Sequence, residues 1–98
     1  MSQLLTEVSA TVPDGREEEV LRAFDALIRG GLPEGLLRTE LLAGSDGQWR
    51  IHSLWRDQAA LDAMRAAPDP PAAPTLFRSV GAEPTLRIYA IRGATPAT

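Results

Sequence analysis

The amino-acid sequence predicts an α+β domain in which strands and helices follow the order β-α-β-β-α-β. Three observations carry this. Segments near both ends and in the middle alternate apolar and polar residues with the two-residue period of a strand. Two other segments, 14–29 and 57–67, space their apolar residues three and four apart, as a helix does. The order of these segments gives the split βαβ, ferredoxin-like arrangement, an antiparallel sheet with helices on one face.

The first strand is "LLTEVSATV" (4–12), with Thr6, Val8, Ala10 and Val12 on one face and Glu7, Ser9 and Thr11 on the other. Pro13 ends it. Asp14 is then expected to cap the first helix, with Glu17 at the capping-box spacing and Glu17, Glu18 and Glu19 in the first turn, where the helix dipole favours negative charge. Val20, Leu21, Phe24, Leu27 and Ile28 form its apolar stripe, and Gly30 and Gly31 stop it. "LPEG" (32–35) reads as a turn and "LLRTELLA" (36–43) as a second strand of ambiguous phase. "GSDG" (44–47) is a hairpin turn. In the third strand, "QWRIHSLW" (48–55), Trp49, Ile51, Ser53 and Trp55 share one face and Arg50, His52 and Leu54 the other. Asp57 caps a second helix that runs to about Ala67, with Leu61, Met64 and Arg65 near one side. "PDPPAAP" (68–74) reads as a stiff loop, because proline cannot continue a helix, and "TLFRSV" (75–80) as one short helical turn. The last strand, "TLRIYAI" (85–91), sets Leu86, Ile88 and Ala90 against Arg87, Tyr89 and Ile91, and residues 93–98 are expected to fray.

The 98 residues make one domain, with a core from about residue 4 to 92. The 10 basic and 13 acidic residues are interspersed, with a net charge of −3 and no basic stripe, which argues against a nucleic-acid partner. No apolar run approaches the roughly 20 residues that span a bilayer. A start without a charged segment and long apolar stretch makes the cytoplasm the expected location. With no cysteine, no lysine and a single histidine, thiol chemistry, Schiff-base chemistry and a two-histidine metal site within one subunit are excluded. No cofactor is expected. Both faces of the strands carry apolar residues, so a second copy covering the face without helices, in a homodimer, is the expected assembly.

The stretch "GLPEGLLRTELLAGSDGQWRIHSLWRDQAALDAM" (31–64) resembles the antibiotic biosynthesis monooxygenase family, a dimeric α+β barrel group. There a Pro–Gly turn opens strand two, here Pro33 and Gly35, and strand three runs into helix two through Trp55, Asp57, Ala60 and Leu61. The resemblance covers about residues 4 to 92. It implies several possible tasks. Some members oxidise polyketide phenols to quinones with O₂ and without flavin or metal, others degrade haem, and others are small signal or aldehyde-handling proteins. The chain departs from the quinone-forming pattern at Ile51, where an Asn is usual, and at Leu61, where a Tyr is usual. Met64 stands where many members have His, and the second helix lacks the His that haem degraders use as ligand.

Each candidate site residue carries two readings. Trp55 is either a pocket wall for an aromatic substrate or a core plug at the strand-to-helix corner. His52 suits proton abstraction near neutrality, but alternation puts it opposite Trp55, on the face expected to meet a partner subunit. Arg78 is either an anion holder, the role that the resemblance implies for this region, or a solvated arginine, with Arg65 and Arg87 as weaker candidates. Tyr89 and Phe77 line a pocket or belong to core or interface, as does Phe24. Glu7 and Glu40 are strand carboxylates that matter only if buried. The expected pocket lies between the sheet and the second helix, lidded by 68–74, with Ile51, Trp55, Leu61, Phe77 and Tyr89 against the ligand. The functions open to it are a cofactor-independent monooxygenase or related tailoring enzyme on a small aromatic, polyketide-like molecule, a non-catalytic binding or structural dimer, or an isomerase or cyclase.

Overall fold

The structure, a computed structural model, describes residues 2–95. The chain runs β1 (Leu4–Thr11), α1 (Glu17–Arg29), β2 (Leu36–Ala43), β3 (Gln48–Trp55), α2 (Gln58–Ala66), α3 (Ala72–Ser79) and β4 (Thr85–Ala90). The strands form one sheet in the order β2-β3-β1-β4, every neighbouring pair antiparallel. This is the ferredoxin-like arrangement. Residues 93–95 have no regular structure, and the rest of the expected frayed tail lies outside the described residues.

Strand parity decides what lies beneath the helices. Leu4, Thr6, Val8 and Ala10 of β1 are buried, and in β3 Ile51, Ser53 and Trp55 are buried beside them. The register places Thr6 opposite Ser53 and Val8 opposite Ile51. Two apolar clusters result. The larger joins Val8, Ala10, Val12 and Ile51 to Val20 of α1 and to Leu76, Phe77 and Val80 in and after α3. The smaller joins Leu4, Trp55, Ala60 and Leu61, with Leu36 and Met64 against it. In β2 a bulge between Leu36 and Arg38 shifts the phase, so Leu36 and Thr39 reach the same face across three positions. That irregularity explains the ambiguous alternation of this strand.

The strand-to-helix corner forms as expected at Asp57, whose carboxylate accepts from the Ala60 N–H at 2.9 Å. Gly35 packs directly on Ala60, and its carbonyl accepts from the Arg56 N–H at 2.8 Å. At φ +86° this position also needs the left-handed backbone that glycine alone adopts freely. The Gly35, Trp55, Asp57, Ala60 and Leu61 set is thus one contact: a turn stacked on a capped helix start.

Three expectations are corrected. Asp14 does not cap α1. Gly15, at φ +85°, turns the chain so that Arg16 occupies the cap position, without a side-chain cap bond, and Arg16 pairs with Glu19 at 2.7 Å instead. The α1 stripe is narrower than its apolar residues suggest. Val20 is buried and Ala23, Phe24 and Leu27 pack on the core, whereas Leu21 and Ile28 are exposed. The proline-rich segment is not all loop. Helix α3 begins at Ala72 and contains Pro74 in its first turn, where a missing N–H leaves no helical bond unmade.

The face away from the helices carries Leu5, Glu7, Arg50, His52, Leu54, Arg38, Glu40, Leu42, Arg87 and Tyr89 in cross-strand register. The His52 Nε2–H donates to Glu7 Oε2 at 2.9 Å, and Arg38 pairs with Glu40 at 2.7 Å. Among the described residues no helix is long and apolar enough to cross a membrane.

Candidate functional site

Where the two apolar clusters meet, the helices stand off the sheet and leave a cavity of about 610 Å³. Its floor is the helix-facing side of β1, β2 and β3, with Thr6, Val8, Thr39, Ile51, Ser53 and Trp55. Leu61, Met64 and Arg65 of α2 form one wall, and Ala23, Ala26 and Leu27 of α1 another. The segment from Pro71 to Leu76 makes the lip. Leu86 and Ile88 of β4 line the remaining side and are half exposed, so the cavity reaches solvent there.

The walls are mostly apolar and the polar groups few. On the floor the Trp55 indole N–H donates to Thr6 Oγ1 at 3.1 Å, which fixes the ring plane at the cavity wall. Thr39 Oγ1 and Ser53 Oγ lie 3.0 Å apart and form a hydroxyl–hydroxyl pair. In the lip Thr75 donates to the Pro71 carbonyl at 2.8 Å and Ser79 to that of Leu76 at 2.6 Å, local bonds that tighten α3. Arg65, exposed at the rim, is the one charged residue in the described lining, which includes no carboxylate and no imidazole. Among the described residues there is no group of three or more His, Asp or Glu that could hold a metal ion.

The cavity lining contains Ile51, Trp55 and Leu61 together with Arg65, named above as a weaker candidate, and also Met64. Four expected residues lie elsewhere, and backbone periodicity explains each. His52 is one residue out of phase with Ile51 and Ser53, and so projects from the open face towards Glu7. Tyr89 pairs with Leu5 and shares that open face, while its neighbour Ile88 lines the cavity. In α3, Thr75, Leu76 and Ser79 fall on the cavity side. Phe77 is rotated fully into the core and Arg78 beyond it to solvent. Glu7, Glu40 and Arg87 are also on the open face. The residues that sequence reasoning passed over are Thr6, Thr39 and Ser53. The signal for two of them was present: a hydroxyl at an inward position of an otherwise apolar strand face, Thr6 before Val8 and Ser53 between Ile51 and Trp55.

Such a site can enclose a small apolar ring system, hold a negative charge at its rim through a guanidinium, and offer hydroxyls to ligand oxygens from its floor.

Comparison with known proteins agrees with this architecture. Residues 5–73 match the family model for antibiotic biosynthesis monooxygenases. A variant of SnoaB, a cofactor-independent oxygenase from Streptomyces nogalater, superposes with a TM-score of 0.78 at 20% identity, over 99% of this chain and 100% of that one. A heme-degrading protein from Mycobacterium tuberculosis superposes with a TM-score of 0.73 at 17% identity, over 99% and 100% of the two chains. A protein of unknown function from Nitrosomonas europaea gives 0.75 at 14% identity, over 100% and 97%. At these identities the likeness is one of fold. No curated protein matches the sequence significantly. With the family model spanning β1 through the start of α3, the chain belongs to the antibiotic biosynthesis monooxygenase family.

Proposed function

We propose that this domain binds a small aromatic molecule bearing an ionisable hydroxyl or carboxyl in the cavity beside Trp55, and oxidises it with O₂ without a cofactor. The observation that carries the proposal is the cavity itself. A volume of about 610 Å³ falls within the range of small-molecule sites, and it is apolar except for a few convergent groups. Family membership and the fold shared with a cofactor-independent oxygenase support the reaction class. In this chemistry the electron-rich substrate is itself the reductant. Trp55 would stack on the ring and Arg65 would hold the anion, which favours the ionised, oxidisable form. The described lining offers no carboxylate or imidazole as base, so the phenolic proton would pass to water at the rim.

Oxygen uptake on a dihydroxyanthrone tests this. Uptake above the uncatalysed rate is expected, reduced about 10-fold in Arg65→Ala, the share expected of a hydrogen bond to a charged group. It should be reduced also in Trp55→Phe and unchanged in Arg78→Ala, whose side chain lies off the cavity. Wild-type uptake no faster than background refutes the oxygenase reading. Retained binding would then favour a second one, a non-catalytic small-molecule-binding domain. Ile51, Leu61 and Met64 in the lining support that alternative, because catalytic relatives are expected to carry polar groups there. An isomerase or cyclase needs a base at the substrate, which the described lining does not offer.

A homodimer and a cytoplasmic location go with this reading. Leu5, Leu42, Leu54 and Tyr89 share the open sheet face with charges of both signs, a surface that a second copy could cover. Sedimentation at micromolar concentration should show a dimer, and a monomer would refute it.

A further inference from the structure

The floor hydroxyls carry an inference beyond the apolar pocket. Thr6, Ser53 and Thr39 stand in cross-strand register on three adjacent strands, Thr6 opposite Ser53 and Ser53 opposite Thr39. They form a row of hydroxyls on strands roughly 4.8 Å apart, with Thr39 Oγ1 and Ser53 Oγ 3.0 Å from each other. All three line the cavity, and Thr6 and Ser53 are more than nine-tenths buried.

Their hydrogen bonds leave protons to give. Thr6 Oγ1 accepts the Trp55 indole N–H, and its own O–H has no acceptor among the described residues. Thr39 and Ser53 bond each other, which uses one of their two protons, since only one of the pair can donate. Two O–H donors therefore remain on the floor, with Ile51 and Trp55 around them. A buried hydroxyl without an acceptor is unfavourable, and a ligand oxygen placed over it removes that penalty.

We propose that the Thr6–Ser53–Thr39 row is a recognition edge for carbonyl-type oxygens, and that it selects ring ligands oxygenated on the floor-facing side over unoxygenated ones of the same size and charge. The arrangement divides the work. Arg65 at the rim reads the charge and the hydroxyl row reads the oxygenation. This rests on the cavity being a ligand site, as proposed above.

The test uses two probes that share ring size and charge, anthraquinone-2-carboxylate and anthracene-2-carboxylate, with binding read from quenching of tryptophan fluorescence. Wild type should prefer the quinone. The double variant Thr39→Val/Ser53→Ala and the single variant Thr6→Val should each cut that preference about 3- to 10-fold, the range of one neutral hydrogen bond. Thr6→Ser, which keeps the hydroxyl, should retain it. Far-UV circular dichroism confirms that each variant is folded, and Thr39→Val/Ser53→Ala leaves the Trp55 bond to Thr6 untouched. Equal binding of the two probes by wild type, or a preference unchanged in both variants, overturns the hydroxyl row and leaves the cavity reading standing. Binding of neither probe overturns the cavity reading and the row with it.

Discussion

Replacing Thr6 with valine isolates a single buried bond. The side chains have the same shape, so the change removes the acceptor of the Trp55 N–H and little else. Trp55 is 3% exposed and Thr6 6%, so neither group gains solvent cheaply. An indole N–H left without an acceptor costs about 1–3 kcal/mol. Exchanging a buried hydroxyl for a methyl returns part of that, on the order of 1 kcal/mol. The net loss should be about 0–2 kcal/mol, and at about 4–8 °C per kcal/mol for a domain this small Tm should fall by up to about 16 °C. Urea unfolding of wild type, Thr6→Val, Trp55→Phe and the double variant closes a double-mutant cycle, because phenylalanine removes the donor as valine removes the acceptor. A coupling near 1 kcal/mol is expected. A coupling below about 0.3 kcal/mol, within the error of additivity, would show that the indole is satisfied equally well without Thr6 and would refute the reasoning.

Two other perturbations follow from the fold. Gly35→Ala should destabilise by 2 kcal/mol or more on the order-of-magnitude scale, because it adds a side chain at positive φ and drives it into Ala60. A urea midpoint within error of wild type would count against the tight corner. The Arg16–Glu19 hydrogen bond holds the Glu19 carboxyl below its ordinary range, and Arg16 correspondingly above its own. Stability from this pair is therefore present above the unfolded Glu pKa and lost as pH falls through the lower folded value. The gap in urea midpoint between wild type and Glu19→Gln should be widest near neutral pH and close in acid; a gap that widens on acidification would be the wrong sign.

Those parts of the fold set by local periodicity were readable in the sequence. Alternation alone assigns the residues of β1 and β3 to their observed faces and sets Trp55 and His52 on opposite sides of the sheet. Asp57 was readable because a capping residue acts within its own turn. What failed depended on tertiary placement. Leu21 and Ile28 look equivalent to Val20 and Leu27 along α1, and only how α1 packs on the sheet and on α3 decides which of them meets the core. Arg78 is singled out by the resemblance rather than by local pattern, and which side of α3 it faces depends on where that helix starts, which Pro74 conceals. The β2 bulge hid Thr39 from any strict two-residue count, so the hydroxyl row, which spans three strands, had no signature within one segment.

The lip of the cavity has a consequence for how fast and how tightly a ligand exchanges. Four prolines lie within residues 68–74, and the segment runs into a helix that two side chains tie to their own backbone. Such a segment has little conformational freedom left to lose. Association should then carry almost no entropic cost for ordering the entrance, leaving desolvation, contacts and the ligand's own loss of translational and rotational freedom to set affinity. Exchange kinetics should follow the size of a rigid aperture, with on-rates set by ligand width and largely independent of solvent viscosity beyond simple diffusion.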